Sequence, residues 1–232
     1  MAEGETALIV GVGAGLSASL ARRFASEGIK VALASRNTDK LGDLVAETGA
    51  TAYACDATDP AAVAGLFKSV TADLGEPDIV VYNASNRVRG PITEIDPEAV
   101  LTAIKITCYG GFLVAQQAAK QMVARGNGAI FFTGASAGVK GYPNSATFAM
   151  GKFGLRGLAQ SMARELHPQN VHIAHFVIDG GIKQPNDPRT ERAGTDGLLE
   201  PDSIANSYYN FWRQPRDSWA WELELRPWTE KF

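Results

Sequence analysis

Short apolar runs and longer amphipathic stretches alternate along most of this chain. The runs at residues 7–10, 31–34, 50–55, 78–82, 129–133 and 171–178 have the length of strands, and the one at 78–82 reads as a buried strand. Between the first two, Ala18, Leu20, Ala21, Phe24 and Ala25 recur at helical spacing with Arg22, Arg23 and Glu27 opposite, and Gly28 is placed to cap the helix end. Further helices are predicted over residues 38–47, 60–74, 97–125 and 145–166. Pro60 opens the second of these after Asp56-Ala57-Thr58-Asp59, where an Asp or Thr supplies a cap, and Asp56 reads equally as a cap or as a free carboxylate. Gly75-Glu76-Pro77, Gly126-Asn127-Gly128 and the pair Pro168 and Asn170 are the breaks.

Strand and helix alternating without interruption imply a parallel sheet with right-handed crossovers and a helix layer on each face. The expected fold is therefore α/β: a Rossmann-like, doubly wound parallel sheet, built as a single domain over residues 1–232. Residues 184–197 are polar and rich in Pro, Asp, Arg and Thr, and read as a lid over a substrate. The tail, residues 213–232, carries three of the four tryptophans, and its segment 219–225 suits a seventh strand. So aromatic a tail needs a surface to cover, on its own domain or on a neighbouring subunit.

In doubly wound sheets, ligands sit beyond the carboxyl ends of the strands. The loops on that edge are rich in small residues. The first, Gly11, Gly13 and Gly15, joins strand to helix, where glycine permits positive φ and close approach while the helix N-terminus offers free N–H groups to a pyrophosphate. A dinucleotide site follows. The second strand ends Ser35-Arg36-Asn37, lacking the acid that holds a ribose 2′-hydroxyl and offering a guanidinium suited to a 2′-phosphate. NADP(H) is the expected cofactor ahead of NAD(H).

Composition narrows the reading. At 232 residues and 24.7 kDa the chain buries a substantial core without disulfide or metal staples. Its two cysteines, Cys55 and Cys108, stand apart and suit a reducing compartment. A net charge of −3 offers no basic face to nucleic acid or anionic membrane. The opening residues lack a basic n-region and a long apolar stretch, so a cytoplasmic protein with a small-molecule substrate, and no nucleic-acid or membrane partner, is expected. His172 and His175 should face opposite sides of the sheet, which argues against a metal site with His167.

Taken together these residues resemble the short-chain dehydrogenase/reductase family from Leu8 to about Pro185. The family's opening glycine motif matches Gly11, Gly15 and Ser17, with serine in the last glycine's place and its hydroxyl expected near a phosphate. Leu16, beside that motif, joins the expected contacts. The family's adenine-contacting Asp matches Asp56, followed by Ala57, and its Asn-Asn-Ala-Gly matches Tyr82-Asn83-Ala84-Ser85. Its late Pro-Gly loop matches Asp179-Gly180 followed by Ile182, which the resemblance places at the nicotinamide amide. Asp179 then stands near the nicotinamide ring, as a turn residue or as a carboxylate acting on it. A homodimer or homotetramer is implied by the resemblance alone.

The catalytic positions depart from the family. Its Tyr-x-x-x-Lys pair has become Phe148 and Lys152, its serine falls at Ala135 with Ser136 one step later, and its relay asparagine falls at Thr107. Lys152 and Ser136 remain as candidate catalytic residues, with Tyr142, Ser145 and Thr107 as substitutes for a proton donor. Losing a general acid costs typically ~10²–10⁴ in rate. An oxidoreductase acting on a small carbonyl or imine compound of low proton demand is expected, the alternative being a non-catalytic NADP(H)-binding sensor or partner subunit. Its pocket should form from loops 85–95 and 136–145 and the lid, none of which carries a decisive charge pattern.

Overall fold

The computed structural model describes residues 4–184 and 186–230. Residues 1–3, Pro185 of the expected lid, and residues 231 and 232 of the tail lie outside them. Seven strands form one parallel sheet: β1 (Thr6–Val10), β2 (Lys30–Ser35), β3 (Thr51–Ala54), β4 (Ile79–Tyr82), β5 (Gly128–Thr133), β6 (Val171–Ile178) and β7 (Glu222–Leu225). Their spatial order is β3-β2-β1-β4-β5-β6-β7, so the chain reverses direction across the sheet between β1 and β4. That reversal is the topological switch point at which doubly wound sheets bind ligands.

The period-two alternation of side chains divides the core. Leu8, Val10, Val80, Tyr82, Ile130 and Phe132 face one helix layer, while Ala7, Ile9, Ile79, Val81, Ala129 and Phe131 face the other. The first layer holds α3 (Pro60–Leu74), α4 (Pro97–Ile104) continuing through a π-helical turn (Lys105–Tyr109) into α5 (Gly110–Arg125), and α6 (Ala146–Leu166). Such a turn within a helix needs a partner for its loosened carbonyls. Tyr82 supplies one, its hydroxyl donating to the Ile106 carbonyl. Gly110 and Gly111 are needed there, because a Cβ on either would meet Tyr82 or Leu155. The helical stretch over residues 97–125 is long and apolar enough to cross a membrane, yet here it packs on α3, α6 and the sheet.

The second layer holds α1 (Leu16–Ser26), α2 (Gly42–Thr48) and α8 (Pro201–Trp212), with the short α7 (Arg189–Ala193) within the polar segment over residues 184–197. Helix α8 is absent from the elements that the sequence pattern predicts. It packs along α1 and buries Ile204, Ala205 and Tyr208, whose ring stacks on Phe176 with centroids 3.6 Å apart.

The tail docks on its own domain. Strand β7 pairs with β6, and its Glu222 takes a bidentate pair from Arg156 of α6 (2.6 and 2.8 Å) and lies 3.0 Å from His175 Nδ1. Trp219 stacks on His172 with ring centroids 4.6 Å apart and ring planes nearly parallel. His172 and His175 thus occupy opposite faces of the sheet, as their odd spacing requires. Burial holds both imidazoles down at about 4.

Candidate active site

A cleft of about 710 Å³ opens over the carboxyl ends of β1, β2, β4 and β5. Its floor is the glycine turn. Gly11 has φ +91 and its N–H donates to the Ala34 carbonyl (3.0 Å), and a Cβ there would lie 2.4 Å from the Ala84 amide nitrogen. Only glycine lets the two loops approach so closely. Gly15 precedes α1, and no side chain caps that helix. Its N-terminal N–H groups and partial positive charge face the cleft, beside Gly13, where an added Cβ meets nothing within 4 Å.

Ser17 does not offer its hydroxyl outward. It is buried, donates to the Gly11 carbonyl (2.9 Å) and accepts from Asn83 Nδ2 (2.6 Å). Asn83 also reaches the Gly11 carbonyl (3.3 Å). The serine and the asparagine therefore brace the turn from below, which glycine at 17 could not do. Asp56 is braced too, its carboxylate accepting from the Thr58 amide and hydroxyl at 2.9 and 2.8 Å, contacts that lower its pKa. The cap of α3 is Asp59, whose carboxylate accepts from Ala61 N (2.8 Å).

Arg36 lines the cleft, and so does Lys40, which sequence reasoning overlooks although it lies four residues further along the same loop. Neither forms an ion pair within 4 Å among the described residues. Gln184 and Arg189 reach the cleft from the segment over residues 184–197. Gln184 lies over Gly15, and Arg189 is held by Asp187 in a two-pronged pair. The two ends of this segment are joined, where Ile182 bridges Leu199 and Lys183 N donates to the Leu199 carbonyl (2.9 Å).

At the other end, Phe148 and Lys152 stand one turn apart on α6, both buried and both lining the cleft with Ala135, Thr133 and Ile182. Lys152 Nζ donates to the Thr133 carbonyl (2.6 Å) and lies 5.7 Å from the Phe148 ring centroid. Burial, aided by the nearby Arg87 cation, pushes its amine down to about 7. Arg87 itself sits 4.1 Å over the Phe148 ring.

The substitutes for a proton donor fare differently. Ser136 begins a short turn after Ala135, and Ala135, not Ser136, lines the cleft. Tyr142 is exposed beside Lys140, and Ser145 makes no side-chain cap on α6. Thr107 does not bond its own helix: its hydroxyl accepts from the Asn86 amide (3.0 Å), tying the loop after β4 to the π-helical turn. The Asp179 carboxylate turns to Lys140 (3.4 Å) and Arg226 (3.5 Å), while its neighbours Ile178 and Gly180 line the cleft. Cys55 is a free thiol raised to about 11 by burial and the neighbouring Asp56, and Cys108 is likewise free.

The depressed Lys152 pKa has a consequence for stability. Between about 7 and the ordinary 10.5 the unfolded chain holds a proton on this amine that the native chain lacks, so this group's contribution to stability rises with pH through that window. Urea unfolding of nucleotide-free protein at pH 7 and pH 9 should show the parent gaining on Lys152→Met as pH rises. Identical pH dependence of the two proteins would contradict the burial assigned to the amine.

The fold and the cleft define a doubly wound α/β protein whose ligand edge joins a glycine turn, an uncapped helix N-terminus and a buried lysine. The chain belongs to the short chain dehydrogenase family, whose model matches residues 5–189. It is 33% identical over 175 residues to the 3-oxoacyl-(acyl-carrier-protein) reductase MabA of Mycobacterium tuberculosis, covering 75% of this chain and 68% of that protein. Among solved structures it resembles a short-chain dehydrogenase from Rhodopseudomonas palustris (33% identity, TM-score 0.85, covering 97% of this chain and all of the other). A metagenomic short-chain oxidoreductase in complex with NADP is 27% identical at TM-score 0.83, with 97% of each chain covered.

Proposed function

We propose that the chain is an NADP(H)-dependent oxidoreductase that acts on a small carbonyl- or imine-type substrate without the tyrosine donor its family uses. The observation that carries this reading is the coincidence, on one sheet edge, of free helix N–H groups, two cations just after β2, and a buried lysine with no anionic partner among the described residues. Gly11, Gly15, Leu16 and Ser17 would hold the pyrophosphate at the N-terminus of α1, Arg36 and Lys40 the 2′-phosphate, and Asp56 and Ala57 the adenine side. Asn83 and Ala84 set the turn's depth, Lys152 would hold the nicotinamide ribose, and Ile182 the ring's amide. When bound, the nicotinamide supplies or accepts the hydride.

The rest is done by this chain. Phe148 stands at the position of the family's tyrosine and brings an apolar wall with no exchangeable proton. Lys152 orients the ribose and, with an amine lowered to about 7, is able to exchange a proton at neutral pH. The missing hydroxyl at 135 leaves a developing oxyanion without its usual donor, so the fitting substrates are iminium ions or activated carbonyls, which need little protonation at the transition state. Ser136 could polarise such a carbonyl only if its turn moved toward the cleft. A non-catalytic sensor or partner subunit has no observation of its own in its favour.

A cytoplasmic homodimer or homotetramer fits this reading. Leu101, Tyr109, Phe112, Met150 and Phe153 leave apolar surface exposed on the neighbouring helices α4, α5 and α6 and the π-helical turn. The cofactor assignment is tested by calorimetry on Arg36→Ser/Lys40→Ser. Each charge-assisted hydrogen bond to a phosphate contributes ~1.5–3 kcal/mol, so NADPH affinity should fall at least tenfold while NADH affinity changes little. An equal fall for both carriers would remove the 2′-phosphate from these residues.

A further inference from the structure

Arg87 stands on the loop that follows β4, with its guanidinium carbon 4.1 Å above the Phe148 ring and its side chain lining the cleft. The loop is fixed on both sides: the Asn86 amide donates to Thr107 Oγ1 (3.0 Å), and Gly90 N donates to the Asn144 carbonyl (3.2 Å). Among the described residues Arg87 makes no hydrogen bond and no ion pair. Stacking on an aromatic ring stabilises its charge but satisfies none of its five donors. A cation–π interaction holds the group in place and leaves its N–H fork available.

The charge inventory of the cleft says what that fork awaits. Asp56 is the one acid among the described residues that line it, and it sits at the expected adenosine end beside Arg36. Arg189 is neutralised by Asp187. On the reading above, Arg36 and Lys40 meet the 2′-phosphate and the N-terminus of α1 meets the pyrophosphate, which uses every anionic group the cofactor has. Arg87, stacked on Phe148 where the substrate must lie, is left without an anionic partner among the described residues, and Lys152, assigned to the ribose, brings no negative charge to it. Each approaches the same ring, and Arg87 helps to depress the Lys152 amine, so the pair repel each other until an anion arrives.

We infer that Arg87 is a specificity residue that pairs with a carboxylate on the substrate, so that the protein acts on oxo or imino acids rather than on neutral carbonyl compounds. This inference rests on the proposed NADP(H) site. The planar fork suits a carboxylate in two-pronged fashion, and the preset loop lowers the ordering cost of binding. It also supplies the orientation that a missing tyrosine hydroxyl no longer gives, since an anchored carboxylate fixes the neighbouring carbonyl against the cofactor face.

Matched pairs of pyruvate, acetoacetate and levulinate with their methyl esters test this, titrated by calorimetry into protein saturated with NADP⁺, where no reduction takes place. At least one acid should bind ten times or more tighter than its ester. Arg87→Gln should cut that ratio by about 10–100-fold, the value of a charge-assisted hydrogen bond, and Arg87→Lys should restore part of it. Arg87 is exposed, and an unchanged thermal midpoint confirms that each variant is folded. The inference is overturned if no acid is preferred in the parent, if the preference survives Arg87→Gln, or if that variant weakens NADP⁺ itself. A protein that takes no NADP⁺ but still prefers the acid keeps Arg87 and removes the nucleotide reading instead.

Discussion

Phe148→Tyr combined with Ala135→Ser should give the protein a reductase activity on simple, unactivated ketones that the parent lacks, with NADPH consumption rising by ~10²–10⁴ from the restored acid alone. The second hydroxyl adds an oxyanion donor worth roughly 10²–10³, though the two gains do not multiply cleanly because both act on one transition state. The surroundings favour the result. A phenol at residue 148 would belong to a ring whose centroid lies 4.1 Å from the Arg87 guanidinium carbon and 5.7 Å from Lys152 Nζ, and nearby cations lower the pKa of a tyrosine. The ring is already buried and held by α6, so the substitution adds one oxygen to a formed wall. A double variant no faster than the parent would mean that the missing proton donor is not what limits ordinary ketone chemistry.

Gly11→Ala should be among the most damaging single changes in the chain. The added methyl would lie 2.4 Å from Ala84 N and 2.5 Å from Ala84 Cα, backbone atoms that cannot swing aside, at a residue with φ +91. A left-handed conformation costs an alanine ~1–2 kcal/mol and overpacking a further ~1–3 kcal/mol. The expected fall in unfolding free energy is thus about 2–5 kcal/mol, read from the urea midpoint, with loss of NADPH binding in whatever remains folded. Gly13→Ala separates the two effects. Its Cβ meets nothing within 4 Å and its position lines the cleft, so stability should hold while nucleotide affinity falls. Equal stability of the two variants would contradict the close approach of the β1 and β4 loops.

The elements that can be read from the sequence are those whose signal is local. Six strands are short, mostly apolar runs, and the helices over residues 60–74 and 97–125 carry their own caps or periodicity, so their positions agree with the structure to within a residue or two. Helix α8 escapes because its buried stripe of Ile204, Ala205 and Tyr208 is diluted by serines and asparagines and follows the polar segment over residues 184–197. Pro201 at its first turn is the available signal. The glycine turn and Lys152 are likewise legible, since a motif in one stretch of chain fixes its own geometry.

What cannot be read depends on residues brought together from afar. Ser17 is expected near a phosphate, but Asn83 arrives from the end of β4 to claim its hydroxyl. Asp179 is expected at the nicotinamide ring, but the docked tail brings Arg226 to it and the loop after β5 brings Lys140. Thr107 suits a proton relay or a bond to its own helix, and instead it fastens the loop that carries Arg87. The 85–95 loop shows no decisive charge pattern in sequence because its meaning depends on Phe148, far along the chain, lying beneath Arg87.

One assay of the unmodified protein bears most directly on the proposed chemistry: the fall of NADPH absorbance with activated carbonyl and iminium compounds set against simple ketones of the same size. Turnover is expected on the first group and little or none on the second. Rapid reduction of simple ketones by the parent, or no consumption with any compound by protein that demonstrably binds NADPH, would rule out an oxidoreductase limited to activated substrates by working without the tyrosine donor.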